Sequence, residues 1–163
     1  MIRIVIALAI VVVGACGPGS PGGPAMKNTM NTEPPPSPVI STDILAREPL
    51  VNTAQVKHIL ISWKDLAEAY DGHMDERAQK RTKADAEAEV KSLVAELQGG
   101  ADFDTLMKQH SEDTGSAASG RPMTVTPEAK LVIEFRQMGL RLKVGEFGVV
   151  QSDYGFHIIK RVE

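Results

Sequence analysis

Two histidines and one aspartate carry most of the chemistry this sequence offers. His58 lies in V-K-H-I-L-I-S and His157 in Y-G-F-H-I-I-K, both within runs of β-branched and apolar residues. Asp113 lies in the acidic, turn-rich stretch S-E-D-T-G-S, which leads through G-R-P-M-T-V-T-P to the apolar pattern L-V-I-E-F. A carboxylate, two imidazoles and an apolar surface joined by a short chain are the inventory of a small binding or catalytic cleft. Strand histidines of this kind either act on a substrate directly or form a hydrogen-bonded scaffold that orients their neighbours. Asp113 either faces the cleft or caps the turn before Thr114-Gly115. The sequence leaves both choices open. His73 and His110 read as surface or helix-end residues. No metal-ligand spacing joins the four histidines with the one cysteine, so neither metal nor cofactor is expected.

The elements that must position these residues follow from periodicity. Gln55 to Ser62 alternates Val56, His58 and Leu60 with Lys57, Ile59 and Ile61, which predicts a strand apolar on both faces. From Lys64 to Arg81 the basic residues Lys64, Arg77, Lys80 and Arg81 are interleaved with Asp65, Glu68, Asp71, Asp75 and Glu76. That pattern reads as a solvated charged loop with some helical character, not as a phosphate clamp. Thr82 caps a helix whose apolar positions are Ala86, Val90, Leu93, Val94 and Leu97, and Gly99-Gly100 ends it. A second helix is expected over Phe103–His110. A third is expected to open at Pro127, where a missing N–H costs nothing, and to carry the stripe Leu131, Val132, Phe135, Met138, Gly139 and Leu142 as far as Gly145. Phe147 to Gln151 and Phe156 to Val162 read as two closing strands around S-D-Y-G. Strand, helices, strand, strand is the order of an α+β domain with helices packed on a small antiparallel sheet.

At 163 residues the chain holds one such domain plus appendages. Its 18 basic against 21 acidic residues, and an aromatic content of 4%, argue against a nucleic-acid partner, which needs clustered cations or stacking rings. Residues 1–15 read as an export signal: Arg3, an apolar run from Ile4 to Val13, then Gly14 and Ala15. The run is shorter than the ~20 residues that span a bilayer. V-G-A-C, which ends on Cys16, resembles the bacterial lipobox, whose cysteine is lipidated and becomes the mature N-terminus. Residues 16–49 follow as a Pro/Gly-rich tether too poor in apolar residues to build a core, and the domain occupies 50–163. Membrane attachment would rest on the lipid, since the remaining chain is anionic.

With these pieces in place, the pattern resembles a parvulin-type peptidyl-prolyl isomerase domain. V-K-H-I-L-I-S, G-A-D-F-D-T-L-M-K-Q-H-S-E-D-T-G-S-A, L-K-V-G-E-F-G and Y-G-F-H-I-I-K-R-V-E stand in the family's order from Gln55 to Glu163. The resemblance implies a four-stranded antiparallel sheet surrounded by helices, with the first and last strands adjacent at its centre and His58 beside His157. It also implies catalytic roles for His58, Asp113, Ser152 and His157, and a proline-ring pocket made by Met123, Leu131 and Phe135. The family's G-G-x-L-G-x-F is replaced by G-R-P-M-T-V-T, with Thr126 at the aromatic position, so an altered pocket rim is expected. The implied activity is cofactor-free cis–trans isomerisation of X–Pro bonds in exported or unfolded polypeptides, by a lipid-anchored protein facing the periplasm or the exterior. The competing reading is a non-catalytic, chaperone-like peptide-binding lipoprotein on the same fold.

Overall fold

Two-residue periodicity builds the centre of the domain. In β1 (Ala54–Ile61) it sends Val56, His58 and Leu60 to one face and Lys57, Ile59 and Ile61 to the other. The protein is described here from a computed structural model that covers residues 36–163; the apolar run, Cys16 and most of the Pro/Gly-rich segment lie outside the described residues. With β2 (Met123–Val125), β3 (Phe147–Ser152) and β4 (Gly155–Arg161), β1 forms an antiparallel sheet of order β2-β1-β4-β3. First and last strands are therefore neighbours at the centre. Their register pairs Leu60 with His157 and His58 with Ile159, so both imidazoles leave the same face, one from each central strand.

Among the described residues six α-helices flank the sheet: α1 (Thr42–Leu45), α2 (Glu76–Lys80), α3 (Lys83–Gln98), α4 (Phe103–His110), α5 (Thr114–Ser119) and α6 (Ile133–Arg141). One core lies between α3, α4 and the sheet face bearing Ile59, Ile61, Val149, Phe156 and Ile158. The other lies under α6, where Phe135, Met138 and Leu142 cover Val56, Val150 and Ile159. The start of α3 is a capping box: Thr82 Oγ1 accepts from Asp85 N–H while the Asp85 carboxylate accepts from Thr82 N–H. Gly148 permits the close approach of α6 to β3, since a Cβ there would stand 2.7 Å from Met138 Sδ. Gly155, at φ +131°, turns β3 into β4 where a Cβ would strike the Ile61 carbonyl oxygen at 2.5 Å.

Two expectations need correction. Residues 36–49, assigned above to the tether, fold with the domain, whose compact unit begins at Pro36. Ile44 is buried among the residues under α6, Ser41 exchanges hydrogen bonds with Val149 at 3.0 Å each way, and Arg47 pairs with Glu146 at 2.9 Å. A few apolar and polar anchors thus suffice to dock a segment whose composition cannot build a core. The third helix does not open at Pro127. That proline occupies the second position of a β-turn closed by Ala129 N–H to Thr126 O, a site its fixed φ suits equally well. The helix begins at Ile133 and ends at Arg141, before Gly145. Finally, α5 and β2, six and three residues long, are too short for any periodicity to show.

Candidate active site

The sheet face that carries the histidines opens, beside the start of α6, into a cleft of ≈ 490 Å³. His58, Asp113, His157, Met123, Leu131 and Phe135 all line it. Ser152 sits behind His157. Strand alternation places the two rings, whose centroids are 5.6 Å apart. The buried Phe135 ring stands nearly perpendicular to both, its centroid 5.2 Å from that of His58 and 5.5 Å from that of His157. Met123 reaches the cleft from β2, and Leu131 from the loop before α6 rather than from a shared helix face. The three apolar side chains converge as the resemblance implied, though by a different local route.

The histidines do not hydrogen-bond each other. His58 Nε2 stands 3.2 Å from Asp113 Oδ2, and His157 Nε2 stands 2.8 Å from Ser152 Oγ. Among the described residues neither buried Nδ1 has a partner. Burial, reinforced by the nearby His58 ring, pushes the His157 pKa down to about 3, so this imidazole is neutral at physiological pH. Asp113 both faces the cleft and caps a helix. Its Oδ1 accepts the Ser116 N–H at 3.0 Å and its Oδ2 accepts the Ser116 hydroxyl at 2.7 Å, at the start of α5. The hydrogen bond from His58, with those from Ser116, holds this carboxyl far below the usual carboxylate range despite its partial burial, so it is ionised. The cleft is therefore lined by an ionised carboxylate at Asp113, a neutral ring at His157 and an apolar cup. Among the described residues no three His, Cys, Asp or Glu side chains gather as a metal shell.

Several lining residues escaped the sequence reading. Both tyrosines of the chain, Tyr70 and Tyr154, face the cleft, with rings packed edge to face at 5.7 Å and the Tyr70 hydroxyl donating to the Tyr154 carbonyl. Tyr70 ends a 3₁₀ helix, Lys64–Tyr70, in the segment read as a solvated loop. His73, read as a surface residue, is exposed yet also lines the cleft. Glu112, buried beside Asp113, lines it too. Of the segment that departs from the family pattern, Met123 lines the cleft and the Thr126 carbonyl closes the turn after β2, beyond which Lys130, Leu131 and Val132 continue the lining. The signal for the tyrosines was their scarcity together with the Asp71-Gly72 turn beside one and the S-D-Y-G turn around the other. Nothing local marked Glu112.

The chain is similar to known proteins in sequence and in fold. Residues 42–163 match the PPIC-type PPIase domain family. The chain is 37% identical over 108 residues to the foldase protein PrsA of Geobacillus kaustophilus, covering 66% of this chain and 38% of that protein. Chaperone SurA of Nitrosospira multiformis is 31% identical over 115 residues, 70% of this chain and 23% of that one. The chain thus spans well under half the length of these curated relatives. Its fold is shared with the solution structure of TbPIN1, at a TM-score of 0.58 and 24% identity over 70% of this chain and all of that one. The same holds for the peptidyl-prolyl isomerase ESS1 of Candida albicans, at a TM-score of 0.56 and 19% identity over 69% of this chain and 63% of that one. A family match across 42–163, on a domain whose central strands carry paired histidines above an apolar cup, makes this chain a member of the PPIC-type peptidyl-prolyl isomerase family.

Proposed function

We propose that this protein catalyses cis–trans isomerisation of X–Pro bonds in extended or unfolded polypeptides outside the cytoplasm, without covalent chemistry. The observation that carries this reading is the cup of Met123, Leu131 and Phe135 set against an ionised Asp113 in a partly dewatered cleft. Rotation about the bond is opposed by about 18–20 kcal/mol of amide resonance. Proline presents an apolar ring with no N–H, so hydrophobic contact is the recognition available to it, and the cup offers that contact. In the planar amide, resonance places negative charge on the carbonyl oxygen; in the twisted amide that charge is reduced. A fixed carboxylate and an apolar wall near the rotating carbonyl both disfavour the planar form more than the twisted one. That differential is what lowers the barrier. His58, Ser116 and Ser152 serve by fixing the carboxylate and the rings, and no proton need move.

The protein's place in the cell rests on V-G-A-C. In this reading residues 1–15 are removed, Cys16 carries the lipid, and the domain faces the periplasm or the exterior, where exported chains are its clients. Among the described residues no helix is long and apolar enough to cross a membrane. Replacing Cys16 with Ser should move the protein out of the membrane fraction; retention at full length would refute the lipid anchor. For the activity, a proline tetrapeptide is followed by protease-coupled absorbance or by exchange spectroscopy. Faster cis–trans exchange at catalytic protein concentration is expected. Peptide binding with an unaltered exchange rate would instead establish a chaperone-like binder on this fold.

A further inference from the structure

Outside the residues that line the apolar cup, one group of side chains is built with more care than the fold requires. Arg81 and Glu112 form an ion pair at 2.5 Å, with side chains only 10% and 1% exposed. Arg81 also donates to the Ser62 carbonyl at 2.9 Å and reaches Glu89 at 2.8 Å, and its own carbonyl accepts the Lys64 N–H at 3.0 Å. Glu112 accepts the Ser62 N–H at 2.7 Å. These contacts take up the edge of β1 that three-residue β2 leaves uncovered. The Leu60 N–H goes to Ser111 Oγ at 3.1 Å and the Leu60 carbonyl takes the Glu112 N–H at 2.9 Å, so Ser111-Glu112 stands in for the missing length of strand. The next residue in the chain is Asp113.

A buried ion pair is poor evidence for stability, because desolvation offsets most of its attraction and an apolar pair of similar volume is often as stable or more so. An apolar pair lacks directional bonds to both backbone groups of Ser62. The pair has those bonds, and it joins the two walls of the cleft. On one side Glu112 fixes Asp113 within reach of His58; on the other Arg81 closes the Lys64–Arg81 segment, whose Tyr70 meets Tyr154 at the cleft mouth. We propose that Arg81 and Glu112 are positioning residues for the isomerisation, setting the distance between the Asp113–His58 floor and the tyrosine wall. This inference rests on the isomerase reading above.

The test is the double variant Arg81→Met/Glu112→Leu, compared with wild type in three measurements: thermal unfolding, kcat/KM on a proline tetrapeptide, and the imidazole ¹⁵N signals of His58. The expected result is a folded domain with kcat/KM lowered about 10- to 100-fold, the scale on which small misplacements act, and with His58 signals moved as its contact to Asp113 loosens. A folded variant with wild-type turnover and wild-type His58 signals would overturn the proposal. So would a loss of turnover that merely follows lost stability while the His58 signals stay put. Should the apolar pair fail to fold, Arg81→Lys decides by the same measurements, since it keeps the charge but cannot reach Glu112, Glu89 and Ser62 with one fork. Wild-type protein without turnover would sink the isomerase reading alone, and the His58 signals would still judge the pair.

Discussion

The two faces of the central sheet are made by the same strands and have different tasks. On the closed face Ile59, Ile61, Val149, Phe156 and Ile158 are sealed by α3 and α4, whose Val90, Leu93, Leu97, Phe103, Leu106 and Met107 are all buried. On the other face Val56, Val150 and Ile159 are equally dry under α6, but two residues further along β1 and β4 stand His58 and His157, with Leu60 beside them, at the cleft. The closed-face cluster is built of aliphatic, aromatic and methionine side chains. The open face keeps two imidazoles whose Nδ1 atoms have no partner among the described residues. Continuous packing on one side of the sheet lets the other hold groups that, taken alone, work against folding.

Perturbing each face separately sharpens this contrast. The largest effect is expected on the closed face: Leu93→Ala should cost about 2–5 kcal/mol in urea unfolding, while kcat/KM, measured where the variant is still folded, stays near wild type. A parallel fall in turnover would show that the faces are not independent. Smaller but more specific is the response of the open face to acid. His157 binds no proton in the folded state until about pH 3, whereas the unfolded chain binds one near 6.5, so its contribution to stability is lost as pH falls from 6.5 towards 3. Asp113, depressed below 3.8, acts in the same direction at the lower end of that window. Melting temperatures taken between pH 7 and 4 should therefore decline, and His157→Gln, which cannot titrate, should flatten the decline. An unchanged slope in that variant would mean the ring is not held neutral by burial.

Least costly to the fold is Phe135→Leu. It keeps most of the apolar volume, so its stability loss should stay well under the ~3–5 kcal/mol of a Phe→Ala truncation. It removes the ring that packs against both histidines and reshapes the cup, so turnover of proline peptides should drop by more than the stability change would suggest. Wild-type turnover in the folded variant would place the proline pocket elsewhere.

These experiments separate what was legible in the chain from what was not. Periodicity and punctuation by themselves determined β1, α3, α4, β3 and β4, because each is long enough, or sharply enough capped, to repeat its pattern: Thr82 and Gly99-Gly100 bracket α3, and the alternation in β1 shows which residues share a face with His58. Resemblance added the expectation that His58 stands beside His157, and it drew attention to Met123, Leu131 and Phe135, which line the same cleft. The rest needed the tertiary structure, for one physical reason. Contacts between residues far apart in sequence leave no local trace. Pro127 fits a β-turn as well as a helix start, and only the path back to α6 selects the turn. Arg81 looks like one more solvated cation until Glu112, 31 positions away, is folded against it. Residues 36–49 look like tether until Ile44 finds the core under α6. The two imidazoles could have been thought to satisfy each other, but a diagonal strand register together with Asp113 and Ser152 gives each ring its own partner.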